Sequence, residues 1–349
     1  MRQSPRSGRE GDVLAVVSQT GPSVSFFDAA CDHYLGSLET IAQPHELCFD
    51  PAQRLLWCSI TYDSGFYGAN SGRRTQLTVI DPDTRSIVEV VDVAPEQAPH
   101  GLALDAARGR LYVTVEGSDD RTGGVLAIDT QTRRPLGRID TGAPGPHWVA
   151  IDAAGKTGYV TSKEAPFVSV LDLERGVLTA KVEVPGSEGL AVSADGTRAF
   201  AAAPFLRSPS SGGTTPPGIR VIDVSTASVV DTLPLEDIAM PVHLTSTGRL
   251  LAGEVRMEDD PTSGGRRMAP GRLTVFAADS HKRLGDVEVG PCPLTITSSP
   301  DGRLAYVACH TSSTVEVIDL ETLKTLARLD HAALGESGAH GLAYIPRPA

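Results

Sequence analysis

Four histidines stand in one recurring heptapeptide, and imidazole is a side chain that binds transition metals and moves protons near neutral pH. The copies are Pro44-His45-Glu-Leu-Cys-Phe-Asp50, Pro99-His100-Gly-Leu-Ala-Leu-Asp105, Pro146-His147-Trp-Val-Ala-Ile-Asp152 and Ala339-His340-Gly-Leu-Ala-Tyr-Ile345. A fifth, Ser187-Glu188-Gly-Leu-Ala-Val-Ser193, carries a carboxylate where the others carry imidazole. Any one of these histidines alone would most simply cap its own strand through a neighbouring carbonyl. Four in register with Glu188 point instead to convergence on a metal held by His45, His100, His147 and His340. Imidazole suits Zn, Cu, Fe and Ni, and a nearby carboxylate extends the choice to Mn or Mg. A divalent transition metal (Zn, Fe, Mn or Cu) is therefore the expected cofactor.

Convergence needs elements that bring distant segments together. A second repeat supplies them: an alternating strand usually closed by aspartate, as in Val24-Ser-Phe-Phe-Asp28, Leu77-Thr-Val-Ile-Asp81, Val125-Leu-Ala-Ile-Asp129, Val168-Ser-Val-Leu-Asp172, Ile219-Arg-Val-Ile-Asp223, Leu273-Thr-Val-Phe-Ala277 and Val315-Glu-Val-Ile-Asp319. Seven copies at intervals of roughly 42 to 54 residues match the period of four-stranded propeller blades. Between them lie the histidine-type strand, a turn often containing Asp-Gly, and a strand with an early aromatic such as Trp57, Tyr112, Tyr159, Phe200 or Tyr306. The expected fold is an all-β, seven-bladed propeller of four-stranded antiparallel blades. Residues 12–349 form one domain behind a disordered tail at 1–11. Val13-Leu-Ala-Val-Val17 lacks an inner strand and His340-Gly-Leu-Ala-Tyr344 is an orphan inner strand, so their pairing closes the ring.

The strands Tyr306-Val-Ala-Cys-His310 and Tyr159-Val-Thr-Ser162, with the Val-Ile-Asp strands, resemble those of the YVTN-type, lactonase-like seven-bladed propellers over nearly the whole chain. The resemblance implies the fold and leaves the activity open, because propellers host binding proteins, lyases, hydrolases and redox enzymes alike.

Inner strands of a propeller run side by side along the axis, so equivalent starting residues form a ring at one mouth. The seven positions read His340, His45, His100, His147, Glu188, Met240 and approximately Leu294. The second strand of each blade returns to that mouth with Ser18, Thr61, Glu116, Lys163, Pro204, Glu254 and His310. Three long connections, Thr61 to Gln76, Pro204 to Gly218 and Val255 to Gly271, would overhang it. Catalytic candidates are Glu188, Glu116 and His310. Glu116 and Glu254 could support ligand imidazoles, since metal-bound histidines require a partner. Tyr62, Phe66 and Tyr67 could wall an apolar substrate or simply pin their own loop. Lys163 beside Glu164 reads as a surface pair, His243 as structural, and His33, His281 and His331 as solvated.

A net charge of −12 argues against a nucleic-acid partner. No apolar run is long enough for a membrane helix, no signal-peptide pattern is visible, and five cysteines, an odd number set in apolar strands, favour a reducing compartment. The expected location is the cytoplasm and the expected partner a small-molecule substrate.

These features point to a metal-dependent enzyme of lyase, isomerase or hydrolase type, its ion acting as Lewis acid on a small organic molecule. The streptogramin-linearising lyases, metal-using seven-bladed propellers, offer an analogy. One alternative is a non-heme iron or copper oxygenase or oxidase; the chain resembles the carotenoid-cleaving oxygenases in its four-histidine arrangement alone. Another is a non-catalytic scaffold for a protein partner, which would hold no stoichiometric metal.

Overall fold

Seven four-stranded antiparallel sheets stand in a ring in the computed structural model, which describes residues 11–66, 69–205, 215–262 and 264–348. The tail assigned to residues 1–11 lies, apart from Gly11, outside them. Four of the sheets are built from strands consecutive in sequence, as in Leu102–Asp105, Arg110–Val115, Gly124–Asp129 and Arg134–Asp140. Two more set a short hairpin between their second and third strands, Gly65–Phe66 with Ala69–Asn70 and Met257–Asp259 with Arg266–Met268, and the seventh is the closing blade. There Val13–Ser18 pairs on one side with Ser23–Asp28 and on the other with Ala339–Ile345, placing Leu14 opposite Tyr344 and Ser18 opposite Ala339. The clasp joins the chain's two ends and sets His340 next to the blade of His45.

The repeated residues each have a local reason. The aspartate ending the third strand accepts backbone N–H groups just beyond it, as Asp81 does from Asp83 at 2.9 Å, Asp172 from Glu174 at 3.0 Å and Asp319 from Glu321 at 2.9 Å. Such turns satisfy the donors left over where the strand reverses. The heptapeptide's aspartate serves the first turn likewise: Asp50 accepts from Ala52 at 2.9 Å and Asp105 from Arg108 at 3.1 Å.

The early aromatics Trp57, Tyr112, Tyr159, Phe200 and Tyr306 are all fully buried between blades. Trp57, Leu77 and Val79 of one blade pack against Leu102, Leu111 and Val113 of the next, and the same pattern joins Tyr112 and Val125 to Val149 and Val160. Core therefore lies between blades as well as within them. At roughly 25 cal/mol per Å² of apolar surface removed from water, these layers hold the ring rigid enough to fix side chains at its axis. Outermost strands are mostly exposed, as in Ser86–Asp92, where Ile87 is half-buried and Val91 buried. All five cysteines are free thiols. No helix among the described residues is long and apolar enough to cross a membrane.

Candidate functional site

Hydroxyls on the second strands fix where the inner strands begin. The peptide N–H following each of the first three ring histidines is held by its own blade: Glu46 donates to Ser59 Oγ at 3.0 Å, Gly101 to Thr114 Oγ1 at 2.8 Å and Trp148 to Thr161 Oγ1 at 3.1 Å. The threonines also reach across to the next blade, Thr114 donating to the carbonyl of His147 at 2.7 Å and Thr161 to that of Glu188 at 2.6 Å. Each site residue is thus tied to its neighbour through the backbone. The glycines after the histidine allow this approach. A Cβ on Gly101 would strike the His147 carbonyl and lie 3.0 Å from Trp148 Cα, and one on Gly341 would strike the His45 carbonyl and lie 2.9 Å from Glu46 Cα.

The ring brings five of the expected residues together. His45 and His340 have ring centroids 4.4 Å apart, His45 and His100 3.9 Å, and His100 and His147 3.9 Å. Glu188 Oε2 lies 2.9 Å from His147 Nδ1. All five side chains are buried. Sequence reasoning missed a sixth member, Glu46, whose Oε1 lies 3.2 Å from His340 Nδ1 and 3.5 Å from His45 Nδ1. The signal was present: Glu46 stands where three of the other four copies have glycine. Donor atoms of His45, Glu46 and His340 all lie within 4.8 Å of one another, with His100 and His147 next along the ring, outside that set.

Burial keeps three of the ring imidazoles from taking up a proton. Burial pushes His45, His100 and His147 well below the ordinary histidine value, and neighbouring imidazoles and Lys163 push the same way. Burial alone would raise the Glu46 carboxyl, but the imidazoles of His340 and His45 outweigh it and hold it ionised below its ordinary value. Imidazole nitrogens beside a carboxylate form a donor set suited to a cation. Both ring nitrogens of His100 are buried without a hydrogen-bond partner, which costs free energy unless something else satisfies them.

His310 lies edge-on to His340 with centroids 6.5 Å apart, and burial lowers its pKa to about 4. Glu116 is engaged elsewhere, accepting from the Tyr62 hydroxyl at 2.6 Å and pairing with Arg73 at 3.0 Å. Three side assignments need correction. Glu254 supports no imidazole: its carboxylate accepts the backbone N–H groups of Glu236 and Asp237, both at 2.9 Å, and the Thr274 hydroxyl, so it organises a turn. Lys163 is buried, its charge felt by His100 and His147, and burial lowers its pKa against the pull of Glu116, Glu188 and Glu164. His331 is fully buried with its ring 5.2 Å from Phe27.

The remaining two ring positions, Met240 and Leu294, line an apolar cavity of about 150 Å³ that His340 and His310 border on one side. Among the described residues, each of the three long connections contributes apolar side chains to it: Phe66 from the first, Phe205 from the second, and Val255 and Met268 from the third. Tyr62 points away to Glu116, and Tyr67 lies outside the described residues.

No protein-family model matches the chain. It is 27% identical over 222 residues to the uncharacterized protein YncE of Salmonella typhi, covering 62% of this chain and 55% of that protein. It is 30% identical over 156 residues to YncE of Escherichia coli K12, covering 43% and 38%. The chain thus spans about half the length, or less, of the curated relatives it matches. A functionally unknown protein from Desulfotomaculum acetoxidans shares the fold with a TM-score of 0.71 at 10% identity, over 96% of this chain and 99% of that one. Hydrazine synthase of Kuenenia stuttgartiensis has a TM-score of 0.65 at 16% identity, over 87% and 86%. The dihydro-heme d1 dehydrogenase NirN has 0.59 at 16% identity, over 95% and 66%. Some propellers of this shape are therefore enzymes. The repeats and the closed ring of seven four-stranded blades make the chain a seven-bladed β-propeller, similar over part of its length to the YncE proteins.

Proposed function

We propose that the chain is a metal-dependent enzyme acting on a small organic molecule at the mouth of its central channel. One observation carries the reading: His45, Glu46 and His340 offer three buried donors within 4.8 Å of one another, beside two further buried imidazoles. A cation there would act as a Lewis acid on a carbonyl, enolate or alkoxide oxygen, giving chemistry of lyase, isomerase or hydrolase type. Glu188, in contact with His147, and His310, at the cavity edge, are the residues placed to hold or move a proton. The ring's packing restrains every donor before substrate arrives.

A second reading has its own observation. Two histidines and one carboxylate are the donor types of non-heme iron oxygenases, and His45, His340 and Glu46 supply that set. Elemental analysis of protein purified without added metal tests both. Zinc, manganese or magnesium near one ion per chain supports the first, and iron or copper the second. A chain that holds no ion, and takes none up on titration, removes both and leaves the propeller face as a protein-binding scaffold.

A further inference from the structure

We infer that the cavity beside the ring takes a small, uncharged, largely hydrocarbon molecule carrying a single oxygen-bearing head group, such as an alcohol or ketone of benzene-ring size. The inference rests on the metal reading in one respect: the head group points toward His340 and the ion beside it. Size follows from volume. A cavity of about 150 Å³ is comparable to an engineered one that accepts benzene, so the ligand has roughly six to eight non-hydrogen atoms.

Chemistry follows from the lining. Met240 and Leu294 come from the ring, while Phe66, Phe205 and Met268 come from the three long connections. Among the described residues, no lysine, arginine, aspartate or glutamate borders the space. A sugar, a nucleotide or an amino-acid zwitterion would leave polar groups buried against hydrocarbon without partners, at a cost of roughly 1–3 kcal/mol for each group. The polar side chains of the described lining gather where the last blade meets the closing one: Gln19 beside the start of the His340 strand, and Thr311 with His310. A molecule with one hydroxyl or carbonyl satisfies that wall and leaves the rest of its surface against apolar side chains. Phe66 and Met268 are 42% and 40% exposed, large apolar groups held at the cavity rim where a ligand would cover them.

Calorimetry and ligand-observed NMR on the full chain, alongside elemental analysis, test this with benzyl alcohol as probe and glycerol and phenylalanine as polar controls. Benzyl alcohol is expected to bind and both controls to fail. Leu294→Trp, which fills the cavity, should weaken binding at least about tenfold with metal content unchanged. Should that variant not fold, Met268→Asp, at an exposed position, should weaken it by about as much through the cost of setting a charge against the ligand. Protein that holds its metal but ignores benzyl alcohol, or binds it equally well in the variants, overturns the inference and leaves the metal reading intact. Protein without metal that still binds the probe in a Leu294-dependent way supports the cavity assignment and overturns the metal reading instead.

Discussion

Acid should loosen this propeller through a histidine remote from the site. His331 is fully buried, and neither ring nitrogen has a hydrogen-bond partner. Its backbone ties the outer strand Lys324–Asp330 to the closing segment, accepting from Leu334 and Glu336. Burial lowers its pKa from 6.5 to about 4, against the weaker pull of Glu336 and Asp330. The folded protein therefore holds this imidazole neutral where the unfolded chain has already protonated it. Stability is complete above the unfolded value near 6.5 and is lost as pH falls toward the folded value near 4. At about 1.36 kcal/mol for each pKa unit, the whole effect is about 3 kcal/mol, of which about 2 kcal/mol is lost by about pH 5. Urea denaturation of the wild type and of His331→Leu at about pH 7.5 and pH 5 measures it. The variant's absolute stability is immaterial; the drop between the two pH values should be about 2 kcal/mol smaller than in the wild type. Equal drops in both proteins would refute the claim that burial of this imidazole resists protonation.

Three further outcomes concern the ring. Glu46→Gln keeps the side chain's shape and removes its charge, so affinity for added zinc, read by competition with a chromophoric chelator, should fall at least about 100-fold, the upper end of what outer partners of metal ligands cost. Gly101→Ala drives a methyl group into the His147 carbonyl and Trp148; a loss of about 1–3 kcal/mol is expected in denaturation, with weaker metal binding because the contact lies at two ring positions. Thr114→Val removes the donor to the His147 carbonyl and the acceptor of the Gly101 N–H. The two groups keep their longer bond to each other, Gly101 N–H donating to the His147 carbonyl at 3.2 Å, so the loss by thermal or urea melts should be about 0.5–1.5 kcal/mol.

The fold was legible because each repeated residue has one local task that seven blades need alike. Turn aspartates, inter-blade aromatics and the unpaired strands at either end, Val13–Ser18 and Ala339–Ile345, follow from hairpin chemistry and alternation alone. The ring of His45, His100, His147, His340 and Glu188 was legible for the same reason, since register in the repeat becomes proximity at the axis. Glu46 was not read because it breaks the pattern, and a search tuned to repeated residues passes over the one copy that differs. Glu254 and Glu116 could not be separated from ligand supports, because both sit at strand ends facing the mouth; their partners, backbone amides for one and Tyr62 with Arg73 for the other, come from segments the repeat does not register. His331 misled through its position after an outer strand, which is exposed along most of its length but ends under the closing segment.

A ring of seven equivalent positions makes a useful site only by breaking its own symmetry. Seven imidazoles would bind cations and nothing else, and seven leucines would close the channel with hydrocarbon. Here His340, His45, His100, His147 and Glu188 form one arc and Met240 and Leu294 the other, with the long connections laying Phe66, Phe205 and Met268 over the apolar side. A molecule spanning the junction at His340 meets donors at one end and hydrocarbon at the other, so it is oriented before any bond changes, which is where much of an enzyme's advantage over solution arises. Glu46 sharpens the asymmetry further, adding a negative charge at the edge of the polar arc nearest the cavity through its contacts with His340 and His45. The reacting end of a ligand held by the apolar arc would thereby be directed to the part of the ring best provided with donors, and that coincidence is the physical ground for proposing a catalytic site at the channel mouth.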